Sequence, residues 1–141
     1  MQNRIVIDTS VFISALIGPR GPSRELIRRC LRGDYQPLMG NALFCEYESV
    51  LKSRRILEQC PLSSDEIEAL QQAFMSISKW TSIYYNWRPN LRDEADNHLI
   101  ELAIAGNAST IATNNVKDFR DTNLLFPELT IERPEAILRR S

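Results

Sequence analysis

The sequence has no marked excess of charge of either sign and no long hydrophobic run. Its 17 lysine and arginine residues nearly balance 18 aspartate and glutamate residues. The net charge therefore gives no general attraction to nucleic acid or to an anionic membrane. No apolar stretch approaches the roughly 18 residues that a membrane span requires, and the N-terminus has no signal-peptide pattern. We therefore expect a soluble, cytoplasmic protein that does not enter membranes.

The sequence is also poor in the side chains that bind zinc or form disulfides. It has one histidine, His98, and three cysteines, Cys30, Cys45 and Cys60. The cysteines are odd in number and fifteen residues apart, which fits neither a disulfide framework nor a CxxC metal site. We expect them to be buried, reduced thiols.

The length of the chain limits its domain organisation. Its 141 residues, 43% of them hydrophobic, can form one hydrophobic core but are too few for two ordinary domains. We find no internal repeat and no low-complexity segment. The sequence therefore predicts a single domain over residues 1–141.

Short apolar runs alternate with helical patterns along this domain. Strands are predicted up to Asp8 and at 35–39, 81–85 and 109–113, and helices at 10–17, 22–33, 41–57 with Asn41 as its cap, 64–78 and 94–106. Strands that alternate with helices imply an α/β fold, in which helices cover both faces of a parallel sheet.

Acidic and amide side chains fall near the predicted carboxyl ends of these strands, where open parallel sheets bind ligands. Asp8 ends the first strand, Glu46 follows the second, Asp96 opens the helix before the fourth, and Asn115 to Asp118 follow the fourth. Carboxylates gathered at one edge repel each other, so they imply a divalent cation. Oxygen ligands without clustered histidine or cysteine favour Mg²⁺ or Mn²⁺ over zinc.

Several of these residues also have a purely structural interpretation. Asp8 precedes a helix and is suited to cap it, and Asp93 is suited to cap the helix that contains Asp96. His98 is expected to be a partly exposed helix residue rather than a metal ligand. Asn115 fits a polar loop, in which Asp118 precedes the apolar anchor Phe119.

Glu46 has no such local explanation. It falls on the apolar stripe of its helix, and its helical neighbours offer no cation. Glu48, by contrast, has Lys52 four residues later and is explained as an exposed ion pair. We therefore expect Glu46 to belong to a site, and its replacement by glutamine to raise the stability of the metal-free protein.

The segments IVIDTSVFISAL and DEADNHLIELAIAGNASTIATNNVKDF, with the Glu46 helix between them, resemble the PIN domain family and in particular its VapC-like toxins. The resemblance covers nearly the whole chain. It implies a three-layer α/β/α fold with a central parallel sheet. It also implies a Mg²⁺- or Mn²⁺-dependent endoribonuclease that is often dimeric and often inhibited by a cognate antitoxin protein.

The motif match assigns roles to individual residues. Asp8, Glu46 and Asp96 match the acidic cluster of the family, and Asp118 supplies the fourth charge because the usual position holds the neutral Asn115. We assign Asp8 and Asp96 as metal ligands and Glu46 with Asp118 as groups that position water. The residues expected to support this cluster are Thr9, Ser10, Asp93, Thr113 and Asn115.

Basic residues after the first predicted helix are candidates for contacts with RNA. They are Arg20, Arg24 and Arg28. A charge run on a helix is often only a solvated face, and this is the alternative interpretation of these arginines.

Two other functions compete with the nuclease. A PIN fold without turnover, limited by the neutral Asn115, would act as a module that binds RNA or protein. A phosphatase that starts from an Asp at a strand end requires a second Asp two residues later, where this chain has Ser10.

Overall fold

The computed structural model describes residues 3–18, 20–82, 97–119, 126 and 128–140. Its strands are β1 (Asn3–Ile7), β2 (Tyr35–Met39), β3 (Lys79–Trp80), β4 (Thr110–Ala112) and β5 (Thr130–Glu132). Its helices are α1 (Thr9–Ile17), α2 (Pro22–Arg32), α3 (Asn41–Leu51), α4 (Arg54–Gln59), α5 (Ser64–Ile77), α6 (Asn97–Ala105) and α7 (Pro134–Arg140), with a 3₁₀ turn at Val116–Phe119. Within these ranges, no helix has the length and apolar character needed to cross a membrane.

The five strands form one parallel sheet in the order β3-β2-β1-β4-β5. β1 is central, which explains its unbroken apolar run: Ile5, Val6 and Ile7 are at most 1% exposed because both faces of a parallel sheet are covered. The predicted α/β fold with a central parallel sheet is confirmed. The carboxyl ends of β1 and β4 lie side by side, since Ile7 pairs with Ala112.

An aromatic cluster joins the helices to the central strand. Phe12 of α1 packs between Tyr47 of α3 and Phe74 of α5, with ring centroids 5.1 Å and 5.3 Å away. The Tyr47 hydroxyl is buried and donates to the Ile7 carbonyl at 2.8 Å. This contact fixes α3 against the end of β1, directly before Asp8.

The predicted long helix over 41–57 is wrong, because the chain breaks it into α3 and α4. Ser53 caps α4 by accepting a hydrogen bond from the Ile56 amide at 3.4 Å, and a side chain that bonds to the backbone in this way competes with a continuous helix. The cap position of α3 is also one residue earlier than predicted. Gly40 occupies it, and Asn41 is the first helical residue.

The third strand is shorter and earlier than predicted. β3 pairs Lys79 with Leu38 and Trp80 with Met39, and β2 ends at Met39, so no partner extends the ladder. Thr81 and Ser82 are not in a strand, and the remainder of the predicted 81–85 segment lies outside the described residues.

The expectation that all three cysteines are buried is wrong for Cys45. Cys30 is buried, and burial followed by the charge of Asp34 raises its pKa to about 12. Cys60 is half-buried, whereas Cys45 is exposed on α3. All three thiols are free, as predicted.

Candidate active site

Asp8 lies directly after β1, at the N-cap position of α1, and its residue is only 5% exposed. Its side chain makes no capping hydrogen bond to the helix. Instead, the oxygen Oδ2 accepts hydrogen bonds from Thr113 Oγ1 at 2.7 Å and from Ser10 Oγ at 3.0 Å. The helix-cap interpretation is therefore wrong for the carboxylate, which bonds to side chains of α1 and of the loop after β4 instead.

The loop after β4 supplies the strongest of these contacts. Thr113 is fully buried, and its hydroxyl also accepts from the Asn115 amide at 3.0 Å. Asn114 fastens the loop to α1, because its amide N–H donates to Ser10 Oγ and its side chain donates to Ser14 Oγ at 3.0 Å. Ser10 and Thr113, two of the residues predicted to support the acidic cluster, thus donate hydrogen bonds directly to Asp8, and their role in a site stays a prediction.

The charge of Asp8 has no cationic partner among the described residues. No salt bridge involves it there, and Oδ1 receives no hydrogen bond from any described donor. A buried carboxylate without a counter-charge is costly unless a cation pairs with it. The donor set, one carboxylate oxygen held by hydroxyls and the other left open, fits a hard divalent cation.

Glu46 of α3 meets His98 of α6, with 2.9 Å between Oε2 and the histidine Nε2. Its side chain is 36% exposed, so Glu46 is at the margin of the apolar stripe rather than within it. The hydrogen bond from His98 lowers the pKa of Glu46, and this outweighs the opposing effect of partial burial. Glu46 is therefore ionised at neutral pH. The hydrogen-bond partner that its own helix does not provide comes from α6.

Two buried residues connect Asp8 with Glu46. The Thr9 hydroxyl, next to Asp8, is close enough to Glu46 to lower its pKa, although it reaches no partner in hydrogen-bonding geometry among the described residues. Burial raises the pKa of Tyr47 well above its ordinary value, and the charges of Asp8 and Glu46 raise it further. The charges of both carboxylates thus raise the pKa of the same buried hydroxyl.

Other predicted acidic positions are not described at the side-chain level. Asp93 and Asp96 lie outside the described residues, and Asp118 is in the 3₁₀ turn with its side chain outside the description. Phe119 is buried and anchors that turn, as predicted, whereas Asn115 is exposed. In the described part of the chain, no group of three or more histidine, cysteine, aspartate or glutamate residues is arranged to hold a metal ion.

The three arginines predicted to contact RNA differ in their environment. Arg24 donates from Nε to the Ala15 carbonyl at 2.9 Å, and so holds α2 against α1. Arg28 is exposed, 3.7 Å from Glu25. Arg20 is exposed in the loop before α2. Arg24 therefore commits one guanidinium nitrogen to α1, and contact of any of the three arginines with RNA stays a prediction.

The sequence interpretation missed the role of His98. It was expected to be partly exposed, and it is 19% exposed, but it also makes the one described side-chain hydrogen bond to Glu46. The two residues are 52 positions apart, so helical periodicity gives no signal. The available signal was the combination of a glutamate without a local cation and the lone histidine of the chain.

Comparisons with known proteins identify the family and the fold of the chain. A family model described as a PIN domain matches residues 4–117. The fold is similar to that of a chain in the crystal structure of VapBC2 from Rickettsia felis bound to a DNA fragment from their promoter. That likeness has a TM-score of 0.59 at 16% sequence identity and covers 92% of this chain and 98% of that one. No curated protein matches the chain by sequence. Because the family match spans β1, α3 and β4 with the residues at their ends, the chain belongs to the PIN domain family.

Proposed function

We propose that the protein is an endoribonuclease that depends on Mg²⁺ or Mn²⁺ and hydrolyses phosphodiester bonds of RNA. The observation that carries this proposal is the buried Asp8 carboxylate, which has two hydroxyl donors on one oxygen and no counter-charge among the described residues. A structural carboxylate would pair with a cation or cap the helix, and among the described residues Asp8 does neither.

The proposed ligands of the cation are Asp8 and Asp96. When bound, such an ion neutralises a phosphate oxygen and lowers the pKa of an attacking water. The Ser10 and Thr113 hydroxyls orient Asp8 by holding Oδ2, and Oδ1, which no described donor contacts, would coordinate the ion. Glu46, ionised because His98 bonds to it, accepts a hydrogen bond from the attacking water and positions it, with Asp118 as the second proposed water-positioning group.

The test is cleavage of a single-stranded RNA labelled at its 5′ end. We expect internal cleavage with Mn²⁺, loss of cleavage after EDTA, and recovery when Mn²⁺ is restored in excess. Persistent cleavage in EDTA would point to a contaminating metal-independent ribonuclease or to a different mechanism. Absence of cleavage with either metal, in protein shown to be folded, would contradict the proposal.

We further propose that this nuclease is the toxin of a toxin–antitoxin pair and acts as a homodimer in the cytoplasm. The support is membership of the PIN domain family and the fold that the chain shares with a component of VapBC2. Expression of the chain alone is then expected to arrest growth, and co-expression of a small protein encoded beside it is expected to relieve the arrest. Arrest that persists with every adjacent open reading frame would contradict the toxin assignment.

A second candidate is a PIN-fold module that binds RNA or protein without turnover. The observation that favours it is Asn115, a neutral and exposed residue where the family pattern has a carboxylate. This function predicts retention of RNA in a gel-shift experiment with no cleavage in Mn²⁺. Turnover abolished by EDTA excludes it.

A further inference from the structure

His98 and Glu46 form a contact between two helices that both carry residues of the proposed site. We propose that His98 is a positioning residue for the reaction: its Nε2–H holds the Glu46 carboxylate in the orientation that receives the attacking water. This inference rests on the proposed nuclease function. It adds a residue from α6 that acts through Glu46 rather than on the RNA or the cation.

The geometry defines the donor and the acceptor. An ionised carboxylate only accepts hydrogen bonds, so Nε2 carries the hydrogen in the 2.9 Å contact with Oε2. The histidine side chain is 19% exposed, which limits competition from water for this bond. Glu46 has three side-chain torsions, and the bond from a ring on a packed helix removes most of that freedom.

A purely structural role explains the contact less well. His98 Nδ1 is buried and has no hydrogen-bond partner among the described residues, which is an energetic penalty that an apolar side chain at this position would avoid. The carboxylate is also partly exposed, so it does not require a partner to be tolerated there. A buried nitrogen that no described residue pairs, kept in order to hold a partly exposed carboxylate, is expected at a functional site.

Glu48 provides the contrast on the same helix. It pairs with Lys52 at 3.0 Å and accepts from Gln71 at 3.2 Å. Lys52 is exposed and Gln71 is buried, and neither comes from α6. Of these two α3 glutamates, only Glu46 is held by α6, whose first residue directly follows the proposed metal ligand Asp96.

The test compares three substitutions of His98 in Mn²⁺-dependent cleavage of RNA. Gln places an amide nitrogen near the position of Nε2, Asn places it near Nδ1, and Leu removes the donor. We expect His98→Leu and His98→Asn to lower kcat by roughly tenfold or more with little change in KM. His98→Gln is expected to recover most of kcat, whereas a role in packing alone would rank Leu or Asn equal to Gln.

A double-mutant comparison separates positioning through Glu46 from a general effect on the fold. In the Glu46→Gln background, His98→Leu is expected to cause little further loss of kcat, because the residues act as one unit. In the Glu48→Gln background, the full loss is expected.

Equal losses in both backgrounds, or no rescue by Gln, would overturn the inference. If the parent cleaves RNA and His98→Leu retains its kcat, only the role of His98 fails. If the folded parent does not cleave with Mn²⁺, the nuclease function itself fails, and this inference fails with it.

Discussion

Thr113 Oγ1 donates a 2.7 Å hydrogen bond to Asp8 Oδ2 across the junction of β4 and β1. The residues are 105 positions apart, and the parallel pairing of Ile7 with Ala112 brings them together. Both are buried. The hydroxyl therefore determines which oxygen of Asp8 is held by the described residues, and the sheet register determines that the hydroxyl is there.

Replacing Thr113 by valine tests this contact, because the two side chains have nearly the same shape. We expect Thr113→Val to lower the free energy of unfolding by about 1–3 kcal/mol, since a buried charged acceptor loses a donor. The Asn115 amide loses its acceptor at the same time. Urea unfolding of the metal-free protein measures the change.

Thr113→Ser is the matched control, since it keeps the hydroxyl and removes only a methyl group. Its loss is expected to be about 1 kcal/mol, from the lost apolar contact alone. A serine variant as unstable as the valine variant would show that the hydrogen bond contributes nothing.

Binding of Mg²⁺ or Mn²⁺ is expected to raise the melting temperature, because an ion held by the proposed ligands Asp8 and Asp96 would bind only the folded protein. At roughly one hundred times Kd the gain is about 2.7 kcal/mol. Asp8→Asn is expected to lose most of this response. Asp34→Asn is the control, since Asp34 is exposed before β2 and pairs with Arg32.

Differential scanning fluorimetry across a metal titration distinguishes the outcomes. If the metal raises the melting temperature of the parent and of Asp8→Asn but not that of Asp34→Asn, the ion does not bind at Asp8. No response in the parent at millimolar metal would leave Asp8 a structural carboxylate.

The stability that Glu46 contributes is expected to depend on pH. His98 lowers the pKa of Glu46 below its ordinary value of 4.5. A group whose pKa is lower in the folded than in the unfolded chain stabilises the fold at pH values above its unfolded pKa. This stability is lost as the pH falls through the folded pKa. The parent is therefore expected to be more stable than Glu46→Gln near neutral pH, with the difference shrinking below pH 4.5.

The sequence, which has no cation near Glu46 on its own helix, led to the opposite expectation, namely that Glu46→Gln raises the stability of the metal-free protein. Metal-free urea unfolding of both proteins between about pH 7 and about pH 3 measures the difference. A variant more stable than the parent at neutral pH would restore the earlier expectation. A difference independent of pH would show that the carboxylate charge is not involved.

The sequence predicts those parts of the fold that depend on local pattern. β1 is an unbroken β-branched run that ends at a carboxylate, and the start of α5 carries a Ser63–Glu66 capping box. Both follow from the side chains within a few residues. The register that places Thr113 on Asp8 follows in turn from parallel pairing of two such strands.

The elements that sequence reasoning missed depend on distant partners. β5 has only three residues and exists because β4 pairs with it, and α7 packs against α2. β3 ends where β2 ends rather than where its own apolar pattern ends. The His98–Glu46 bond has the same origin, since it requires α3 and α6 to be packed together before either residue has a partner.

The most direct measurement of the proposed site compares two glutamates of one helix in Mn²⁺-dependent RNA cleavage under single-turnover conditions. Glu46 is held by His98 of α6, whereas Glu48 pairs with Lys52 on the surface. Glu46→Gln is expected to lower the cleavage rate by roughly tenfold or more, and Glu48→Gln is expected to leave it within about twofold of the parent, since an exposed pair contributes little. Equal rates for Glu46→Gln and the parent would contradict the assignment of this edge of the sheet as the active site.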